Sequence, residues 1–213
     1  MVVRTVRVAG KRLRYFQVSD PDALADAVDP EAFERDERFP YWAELWPSAV
    51  ALAAFVLERG IGRGFRALEL GCGLGLVGVA AGLVGAGVTF TDYEPDALAF
   101  ARANHALNLG VPAPARVVDW RDPPRDLSAP LVLAADVLYE LRFLEPFLRT
   151  LRRVVAPGGT AYVAEPGRRI AEGAVERLED HGFRRELHLQ EVEYRGRVHG
   201  VWIHELQRTE HRP

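Results

Sequence analysis

Cysteine is almost absent from this chain of 213 residues, since only Cys72 is present, and an internal disulfide is therefore excluded. A single cysteine fits a reducing compartment, so we expect a cytoplasmic protein. The six histidines show no ligand spacing with Cys72, and we predict no bound metal. No apolar run reaches the roughly 18 residues of a membrane-spanning helix, and the arginine-rich N-terminus lacks the apolar core of a signal peptide. We therefore expect no membrane association.

The chain also has no large excess of positive or negative charge, because its formal net charge is only −3. A field that weak argues against a nucleic-acid partner. The N-terminal stretch nevertheless collects five basic residues: Arg4, Arg7, Lys11, Arg12 and Arg14. They form either the solvated face of a hairpin, which we favour, or a phosphate-binding patch. Hydrophobic residues make up 48% of the chain, enough for a core on both faces of a sheet.

From Phe65 onwards, apolar runs alternate with helical segments, which is typical of strand–helix units that form a parallel sheet. The predicted strands are 67–70, 88–91, 115–118, 130–135, 160–164, 184–194 and 198–207. The predicted helices in this region are 76–84, 95–108, 141–155 and 170–181. A Pro-Gly-Gly turn should lie at 157–159, and the last two strands should form an antiparallel hairpin. Before Phe65 we expect a hairpin of 2–8 and 13–18, short helices up to 38, a turn-rich aromatic stretch and a helix over 48–58.

A glycine turn follows the first strand of this region, in the sequence Leu68-Glu-Leu-Gly-Cys-Gly-Leu-Gly75. Gly71, Gly73 and Gly75 let the backbone turn sharply and let a ligand touch the main chain. The dinucleotide pattern G-x-G-x-x-G needs a glycine at position 76, where this chain has leucine, and Glu69 would repel a diphosphate. S-adenosylmethionine (SAM) carries a cationic amino group that suits Glu69. A tight turn without a ligand is the alternative.

Acidic residues end the next two strands. Asp92 can accept hydrogen bonds from both hydroxyls of a ribose, with Tyr93 beside it, or it can cap the following helix. Asp119 can accept from an adenine amino group, and Trp120 can flank the ring. The alternative for Trp120 is a half-buried aromatic at the edge of the sheet. Together with the glycine turn, these positions predict a nucleoside site at the carboxyl end of the sheet.

These residues together resemble the class I, seven-stranded SAM-dependent methyltransferases, over roughly 43–207. Glu69-Leu-Gly-Cys-Gly-Leu-Gly75 is similar to their first motif, Asp92 to their ribose acid and Asp119 to their adenine-side acid. Ala156-Pro-Gly-Gly159 is similar to the turn before their fifth strand. The resemblance implies a Rossmann-like three-layer sandwich whose mostly parallel seven-stranded sheet ends in an antiparallel hairpin. We expect an N-terminal extension over 1–40 and a methyltransferase domain over 41–213.

A narrower resemblance is to the methyltransferase-16 group of protein lysine methyltransferases. That group has a tryptophan-proline before its first core helix, to which Trp42-Ala-Glu-Leu-Trp-Pro47 is similar. It also has a D-x-x-Y motif at the substrate mouth, to which Asp136-Val-Leu-Tyr139 is similar. Within that group, Tyr41-Trp-Ala-Glu-Leu-Trp-Pro47 and Glu165-Pro-Gly-Arg168 are most similar to the enzymes that methylate the electron-transfer flavoprotein β subunit, which usually have aspartate in place of Glu165.

The group implies SAM-dependent N-methylation of lysine side chains in a protein substrate, with the electron-transfer flavoprotein β subunit as a candidate. Methylation of a small-molecule amine on the same fold is the nearest alternative. A SAM-binding scaffold without catalysis and an NAD(P)-dependent oxidoreductase are alternatives from other classes. The oligomeric state is not predicted.

The resemblance also assigns roles at the substrate mouth. Asp136 would hold the incoming amine, and Tyr139 would orient it or line its channel. Trp46 would close one side of the cofactor pocket, and Ala135 would line it. The alternatives are a capping acid for Asp136, an aromatic packed on the sheet for Tyr139 and a hydrophobic staple for Trp46.

Two further features refine the expectation. Arg168 could pair with an acidic substrate or be a solvated loop charge. The chain reads Ala135-Asp-Val-Leu-Tyr139 where amino-base nucleic-acid methyltransferases carry N/D-P-P-Y/F, so the motif that stacks a flipped base is missing. We therefore expect no nucleic-acid substrate.

Overall fold

A seven-stranded sheet with helices on both faces organises the chain. The computed structural model describes residues 1–26, 39–168, 173 and 182–209. The strands are β1 (Val2–Val8), β2 (Lys11–Gln17), β3 (Arg66–Leu70), β4 (Gly87–Asp92), β5 (Ala115–Val117), β6 (Ala129–Ala135), β7 (Val155–Glu165), β8 (Phe183–Tyr194) and β9 (Arg197–Arg208). The helices are α1 (Pro21–Asp26), a 3₁₀ turn (Tyr41–Ala43), α2 (Pro47–Arg59), α3 (Leu76–Leu83), α4 (Pro95–Leu109) and α5 (Leu141–Val154).

The strand order of the large sheet is β5-β4-β3-β6-β7-β9-β8. The first five strands of that order run parallel, whereas β9 is antiparallel to both β7 and β8. After β3, the chain forms β4 and β5 on one side of that strand and then crosses to form β6 on its other side. The loops after these strands therefore diverge, and a crevice opens at their carboxyl ends. The sheet predicted from the sequence is confirmed.

The sheet buries two hydrophobic clusters, one on each face. In β6, Leu131 and Leu133 belong to the cluster under α2, α3 and α4, while Val132 and Ala134 belong to the cluster under α5. Side chains alternate along a strand, so both faces of β6 must be apolar when both are covered. This explains the unbroken apolar run that the sequence shows there.

Glycines close the ends of two of these helices. Gly60 and Gly110 stand at the ends of α2 and α4 in the left-handed conformation, with φ of 64° and 83°. Their amides donate to Val56 and Ala106, which satisfies carbonyls that the helix leaves free. Pro47 begins α2, where its missing amide hydrogen costs nothing. These local signals explain why the predicted helix bounds are correct to within one residue.

The β1–β2 hairpin packs against α4. Asn104 links the two, because its Oδ1 accepts from the Phe16 amide at 2.6 Å and its Nδ2 donates to the Phe16 carbonyl. The same Nδ2 donates to the Leu74 carbonyl at 2.9 Å, next to the glycine turn. The five basic residues of the N-terminal stretch are exposed. The hairpin thus supports the glycine turn from behind, while the domain boundary at residue 40 stays a prediction.

The structure differs from the expected elements at one turn. Residues 157–159 lie inside β7 as a bulge, because Val155 pairs with Ala129 while Thr160 already pairs with Leu131. His204 lies on β9, which inserts between β7 and β8, and its side chain is buried there. The predicted helix over 170–181 and the short helices between 27 and 38 lie outside the described residues. No helix within the described parts of the chain has the length and apolarity to cross a membrane.

Candidate active site

One cleft opens at the carboxyl ends of β3, β4 and β6. All twelve residues predicted to form the site line it: Trp46, Glu69, Gly71, Gly73, Gly75, Asp92, Tyr93, Asp119, Trp120, Ala135, Asp136 and Tyr139. Residues from several distant segments therefore meet at one place. The contacts of each site residue show what that residue can do in the cleft.

The glycine turn is packed too closely for side chains. Gly71 has a φ of 62°, and a Cβ there would lie 2.9 Å from Val137 Cγ1 and 3.2 Å from Trp120. A Cβ on Gly75 would lie 2.7 Å from the Cβ of Ala101 in α4. A Cβ on Gly73 would have no neighbour within 3.4 Å, but its φ of 48° is unfavourable for other residues. The turn therefore requires glycine for packing at two positions and for conformation at all three.

Glu69 is buried beneath this turn. Its Oε2 accepts a hydrogen bond from the Gly78 amide at 2.7 Å, in the first turn of α3. Burial raises the pKa of Glu69 from 4.5 to about 8, and the nearby Asp92 carboxylate adds to the rise. The carboxyl group thus holds the start of α3 by accepting one of the amide hydrogens that the helix leaves free. Its predicted role toward a cationic amino group of the cofactor stays a prediction.

Asp92 joins the end of β4 to the glycine turn. Its Oδ2 accepts from the Gly73 amide at 2.9 Å, and its Oδ1 accepts from the Glu94 amide at 3.0 Å. Glu94 is the N-cap residue of α4, so the capping alternative describes part of what Asp92 does. Burial raises the pKa of Asp92 to about 6. Each carboxylate oxygen can accept a second hydrogen bond, which leaves capacity for the hydroxyls of a ribose.

Arg121 organises the rim beside β5. Its Nε donates to both carboxylate oxygens of Asp119, at 3.0 and 2.9 Å, and its Nη2 donates to the Tyr93 hydroxyl at 2.9 Å. The guanidinium also lies 5.3 Å from the centre of the Tyr93 ring. Arg121 was not identified from the sequence. Its position two residues after Asp119 was a signal that could have found it, because such spacing allows a side-chain pair across a turn.

Trp120 combines its two expected roles. Its ring is half-buried, packs edge to face on Phe147 at 5.1 Å and approaches Phe143 at 6.4 Å. Its carbonyl accepts from the Thr150 hydroxyl of α5 at 3.1 Å. The six-membered part of the ring, at Cζ2 and Cη2, lies against Gly71 in the cleft. Trp120 is thus an aromatic at the edge of the core that also forms a wall of the site.

Three aromatic side chains form a second wall. The indole nitrogen of Trp46 donates to the Tyr41 carbonyl at 2.9 Å, and the rings of these two residues are 6.2 Å apart. Tyr41 in turn packs edge to face on Tyr139 at 5.1 Å. Burial raises the pKa of Tyr139 above its usual value, so this hydroxyl stays protonated. Tyr41 also lines the cleft, although no role was predicted for it from the sequence.

Asp136 occupies the most constrained position in the cleft. Its φ is 59°, a left-handed conformation that is uncommon outside glycine and that clusters at functional sites. Its amide donates to the Ala164 carbonyl at 2.9 Å, which ties the end of β6 to β7. Its Oδ2 accepts from the Ser48 hydroxyl at 3.1 Å, and its Oδ1 accepts from the Arg168 guanidinium. Arg168 is therefore not a solvated loop charge, because it forms an ion pair within the chain, while its pairing with an acidic substrate stays a prediction.

Comparison with known proteins agrees with this geometry. The family model described as "Lysine methyltransferase" matches residues 33–178. The chain belongs to the lysine methyltransferase family. This is the methyltransferase-16 group that the two short motifs indicated.

Individual relatives support the assignment. Over 152 residues the chain is 33% identical to the electron transfer flavoprotein beta subunit lysine methyltransferase of Danio rerio, covering 70% of this chain and 56% of that protein. It is 36% identical over 133 residues to EEF1A lysine methyltransferase 3 of Mus musculus, covering 57% of this chain and 54% of that protein. The chain thus spans about half the length of these relatives.

Solved structures show the same fold. N-methyltransferase NodS from Bradyrhizobium japonicum WM9, in complex with S-adenosyl-L-homocysteine, superposes with a TM-score of 0.62. The match covers 91% of this chain and 94% of that one, at 17% sequence identity. At that identity the likeness shows the Rossmann-like methyltransferase fold alone.

The charges in the cleft of this lysine methyltransferase family member fit SAM better than a dinucleotide. Seven acidic residues line it: Glu44, Glu69, Asp92, Glu94, Asp119, Asp136 and Glu140. Among the described residues that line the cleft, Arg121 is the single lysine or arginine side chain. A diphosphate would be repelled here, whereas a sulfonium and an ammonium group would be attracted. The glycine turn, the acid at position 92 and the aromatic walls therefore fit the group that the fold implies.

A cluster of side chains with metal-binding atoms lies elsewhere, on β8 and β9. His188 contacts Glu205 at 2.9 Å and Glu186 at 3.9 Å, and all three donor atoms lie within 4.8 Å of one another. None of the three lines the cleft. This cross-strand group was not found from the sequence, because histidine spacing was considered only against Cys72. The absence of a metal stays a prediction.

Proposed function

We propose that this chain is a SAM-dependent methyltransferase that methylates lysine side chains of a protein substrate. The observation that carries the proposal is that the glycine turn and Asp92 share one cleft with Asp136 and Tyr139. The first pair fits a nucleoside cofactor, and the second fits an amine acceptor. Membership of the lysine methyltransferase family supports the same reaction.

Cofactor binding would use the carboxyl ends of β3, β4 and β5. Asp92 would accept hydrogen bonds from the ribose, Asp119 and Trp120 would hold the adenine, and Glu69 would face the amino group. When bound, SAM supplies a methyl group that its sulfonium has already activated for transfer. The protein must therefore mainly align the acceptor and exclude water from it.

The acceptor lysine must become neutral before it can be methylated, because its free pKa is about 10.4. The Asp136 carboxylate can hold the amino group by accepting its hydrogen bond, while the lysine proton leaves to water. Tyr139 and Tyr41 present aromatic faces and edges along the same wall, which favours a cationic amine as it enters. Trp46 would close the cleft on the cofactor side.

A protein substrate is the favoured acceptor because the relatives carry names of protein lysine methyltransferases. We propose the electron-transfer flavoprotein β subunit as the first candidate, since two relatives bear that name and the motifs around Trp46 and Arg168 are similar to theirs. The cytoplasmic location predicted from the single cysteine is likewise part of the proposal.

Transfer of radioactive methyl groups tests the proposal. The purified chain is incubated with SAM labelled in its methyl group and with a fractionated cell lysate. We expect label in the protein fraction, released as methyl-lysine on acid hydrolysis. Label confined to small solutes would support a small-molecule amine instead. Protection from heat by NAD, and not by SAM or its demethylated product, would support the oxidoreductase.

The control for this experiment uses the composition of the chain. Lys11 is its only lysine, so Lys11→Arg removes every lysine side chain through which the enzyme could methylate itself. Lys11 is exposed in the β1–β2 turn region and does not line the cleft, so the variant should keep full transfer to the lysate proteins. No label in any fraction, from protein that binds SAM, would indicate a scaffold without catalysis.

A further inference from the structure

Arg168 reaches Asp136 from a different part of the chain. It follows β7, whereas Asp136 ends β6, and the ion pair joins the two strand ends across the mouth of the cleft. The Asp136 side chain is only 5% exposed, whereas the Arg168 side chain is 33% exposed. The arginine therefore approaches from the solvent side and covers the carboxylate without entering the cofactor part of the cleft.

Glu165 fixes the turn from which Arg168 extends. Its Oε2 accepts from the Gly167 amide at 2.6 Å and from the Arg168 amide at 3.0 Å. Gly167 has a φ of 82°, so the turn reverses sharply at this point. Burial alone would raise the pKa of Glu165, but the His204 ring, whose Nε2 lies 3.5 Å from Oε1, and the hydrogen bonds from the two amides hold that pKa below its usual value. Glu165 is thus an ionised, buried group whose acceptor oxygen shapes the turn.

We infer that Arg168 is a positioning residue for the proposed methyl transfer: it keeps the Asp136 carboxylate ionised and aimed into the cleft, and Glu165 holds Arg168 in place. The inference rests on the proposed function, in which Asp136 receives the acceptor amine. Arg168 itself is not among the residues that line the cleft. It acts on the reaction through Asp136.

The environment of Asp136 explains why such a residue is needed. Burial raises the pKa of Asp136, and the negative charge of Glu165 adds to the rise. The Arg168 guanidinium and the Ser48 hydroxyl of α2 oppose it. Without the guanidinium, the pKa of this buried carboxyl group would rise further, and its protonated form would be a hydrogen-bond donor. A protonated Asp136 could no longer accept a hydrogen bond from the amine through both of its oxygens.

A competing interpretation is that Arg168 imitates the substrate. Its cationic group would then occupy the place of the acceptor lysine and would have to leave before reaction. The two interpretations predict opposite results when the charge is removed. Loss of a positioning residue lowers turnover, whereas loss of an internal competitor lowers KM for the acceptor protein and raises the rate at low substrate concentration.

The test compares Arg168→Gln and Arg168→Lys with wild type. For Arg168→Gln we expect an unchanged affinity for SAM, a turnover reduced by about tenfold or more, and an acid limb of the pH–rate profile that moves up by about one pH unit or more. Deprotonation of the substrate lysine affects the pH–rate profile of every variant equally. The difference between two profiles therefore reports the titration of Asp136 alone. Arg168→Lys should have a higher turnover than Arg168→Gln but a lower one than wild type, because lysine keeps the positive charge and lacks the planar guanidinium group.

Two variants of Glu165 test the second half of the inference. Glu165→Gln keeps an oxygen that can accept the hydrogen bonds from the Gly167 and Arg168 amides, so this variant should retain most of the turnover. Glu165→Ala loses that oxygen and should behave like Arg168→Gln. The double variant Glu165→Ala/Arg168→Gln should be no worse than either single variant, because both act through the same ion pair.

The matched control is Arg116→Gln, which breaks an exposed arginine–aspartate pair with Asp126 outside the cleft. It should leave turnover and the pH profile unchanged. A wild-type profile in Arg168→Gln, or a lower KM with a higher rate, would overturn the inference.

A readout without turnover separates the inference from the proposed function. In protein labelled with ¹³C at its aspartate carboxyls, the Asp136 signal, assigned with Asp136→Asn, should titrate at higher pH in Arg168→Gln than in wild type. If wild type transfers no methyl group to protein, the proposed function fails, while this titration still decides whether Arg168 controls the charge of Asp136. An unchanged titration overturns the inference even if the enzyme is active.

Discussion

Asp92 and Gly73 are joined by a hydrogen bond of 2.9 Å from the glycine amide to the aspartate Oδ2. The residues are nineteen positions apart: Asp92 ends β4, and Gly73 lies in the turn after the neighbouring parallel strand β3. The bond fixes the glycine turn against the acid that is proposed to bind the ribose. The two motifs recognised separately in the sequence are therefore one structural unit, and a change in either should affect the same binding event.

Asp92→Ala should weaken SAM binding by at least about tenfold, since a loss of 1.4 kcal/mol corresponds to one decade. The variant loses the proposed ribose contacts and also frees the Gly73 amide. Titration calorimetry on folded protein measures the effect. Asp96→Ala is the matched control, because Asp96 is exposed in the first turn of α4 and should not matter. An unchanged titration for Asp92→Ala would remove this residue from the site.

Glu69→Gln should stabilise the ligand-free protein at alkaline pH. The pKa of Glu69 rises from 4.5 to about 8 on folding, so the folded state binds the proton more tightly than the unfolded state. The stability of wild type therefore falls as pH rises from 4.5 to 8, whereas the glutamine variant lacks that loss. We expect a Tm above that of wild type at pH 8 and a much smaller difference at pH 5, with about 3 °C for each kcal/mol.

The control for this comparison is Glu58→Gln, which changes an exposed glutamate of α2 and should leave Tm almost unchanged at both pH values. Above pH 8, where the Glu69 carboxyl group is ionised, Glu69→Gln should bind SAM more weakly than wild type, because the cationic amino group loses its anionic partner. Equal Tm values for Glu69→Gln and wild type at pH 8 would contradict the buried position of this carboxyl group.

Gly71→Ala should be more damaging than Gly110→Ala, although both glycines have a positive φ. A Cβ on Gly110 has no neighbour within 4 Å, so its substitution costs only the left-handed conformation, about 1–2 kcal/mol. A Cβ on Gly71 would also press against Val137 and Trp120. We expect a lower Tm for Gly71→Ala and a loss of SAM binding in that variant alone. Thermal melts with and without SAM test both expectations, and equal behaviour would show that the turn can relax.

Asp136→Asn should separate binding from catalysis. Asparagine tolerates the left-handed conformation about as well as aspartate, so the backbone at the end of β6 should be retained. The affinity for SAM should stay near that of wild type, whereas turnover should fall by about 100-fold because the acceptor amine is no longer held in place. Asp126→Asn, in the exposed pair with Arg116, is the control for both measurements. Full activity in Asp136→Asn would exclude the proposed role.

Local patterns in the sequence carried most of the fold. The unbroken apolar run of β6, the helix α4 and the hairpin of β8 and β9 each depend on interactions within a few residues. They were predicted because covered strands must be apolar and because left-handed positions favour glycine. The bulge at residues 157–159 was taken for a turn because proline and glycine give the same local signal in both cases.

The partners of the site residues could not be predicted in this way. Ser48 and Asp136 are 88 positions apart, and Arg168 and Asp136 are 32 positions apart. Neither pair has a spacing that a helix or a strand repeats. The contacts exist only because α2 and the turn after β7 both come to the end of β6.

The sequence by itself determined where each strand ends and which chemical group stands there, because both are properties of neighbouring residues. It thereby placed glycines, acids and aromatic residues at one edge of a parallel sheet. Only the tertiary structure decided which of those groups are buried, which are paired and what charge they carry. Burial and ion pairing depend on segments that are distant in the chain, and it is these that raise the pKa of Glu69 and Asp92 and place Arg168 on Asp136.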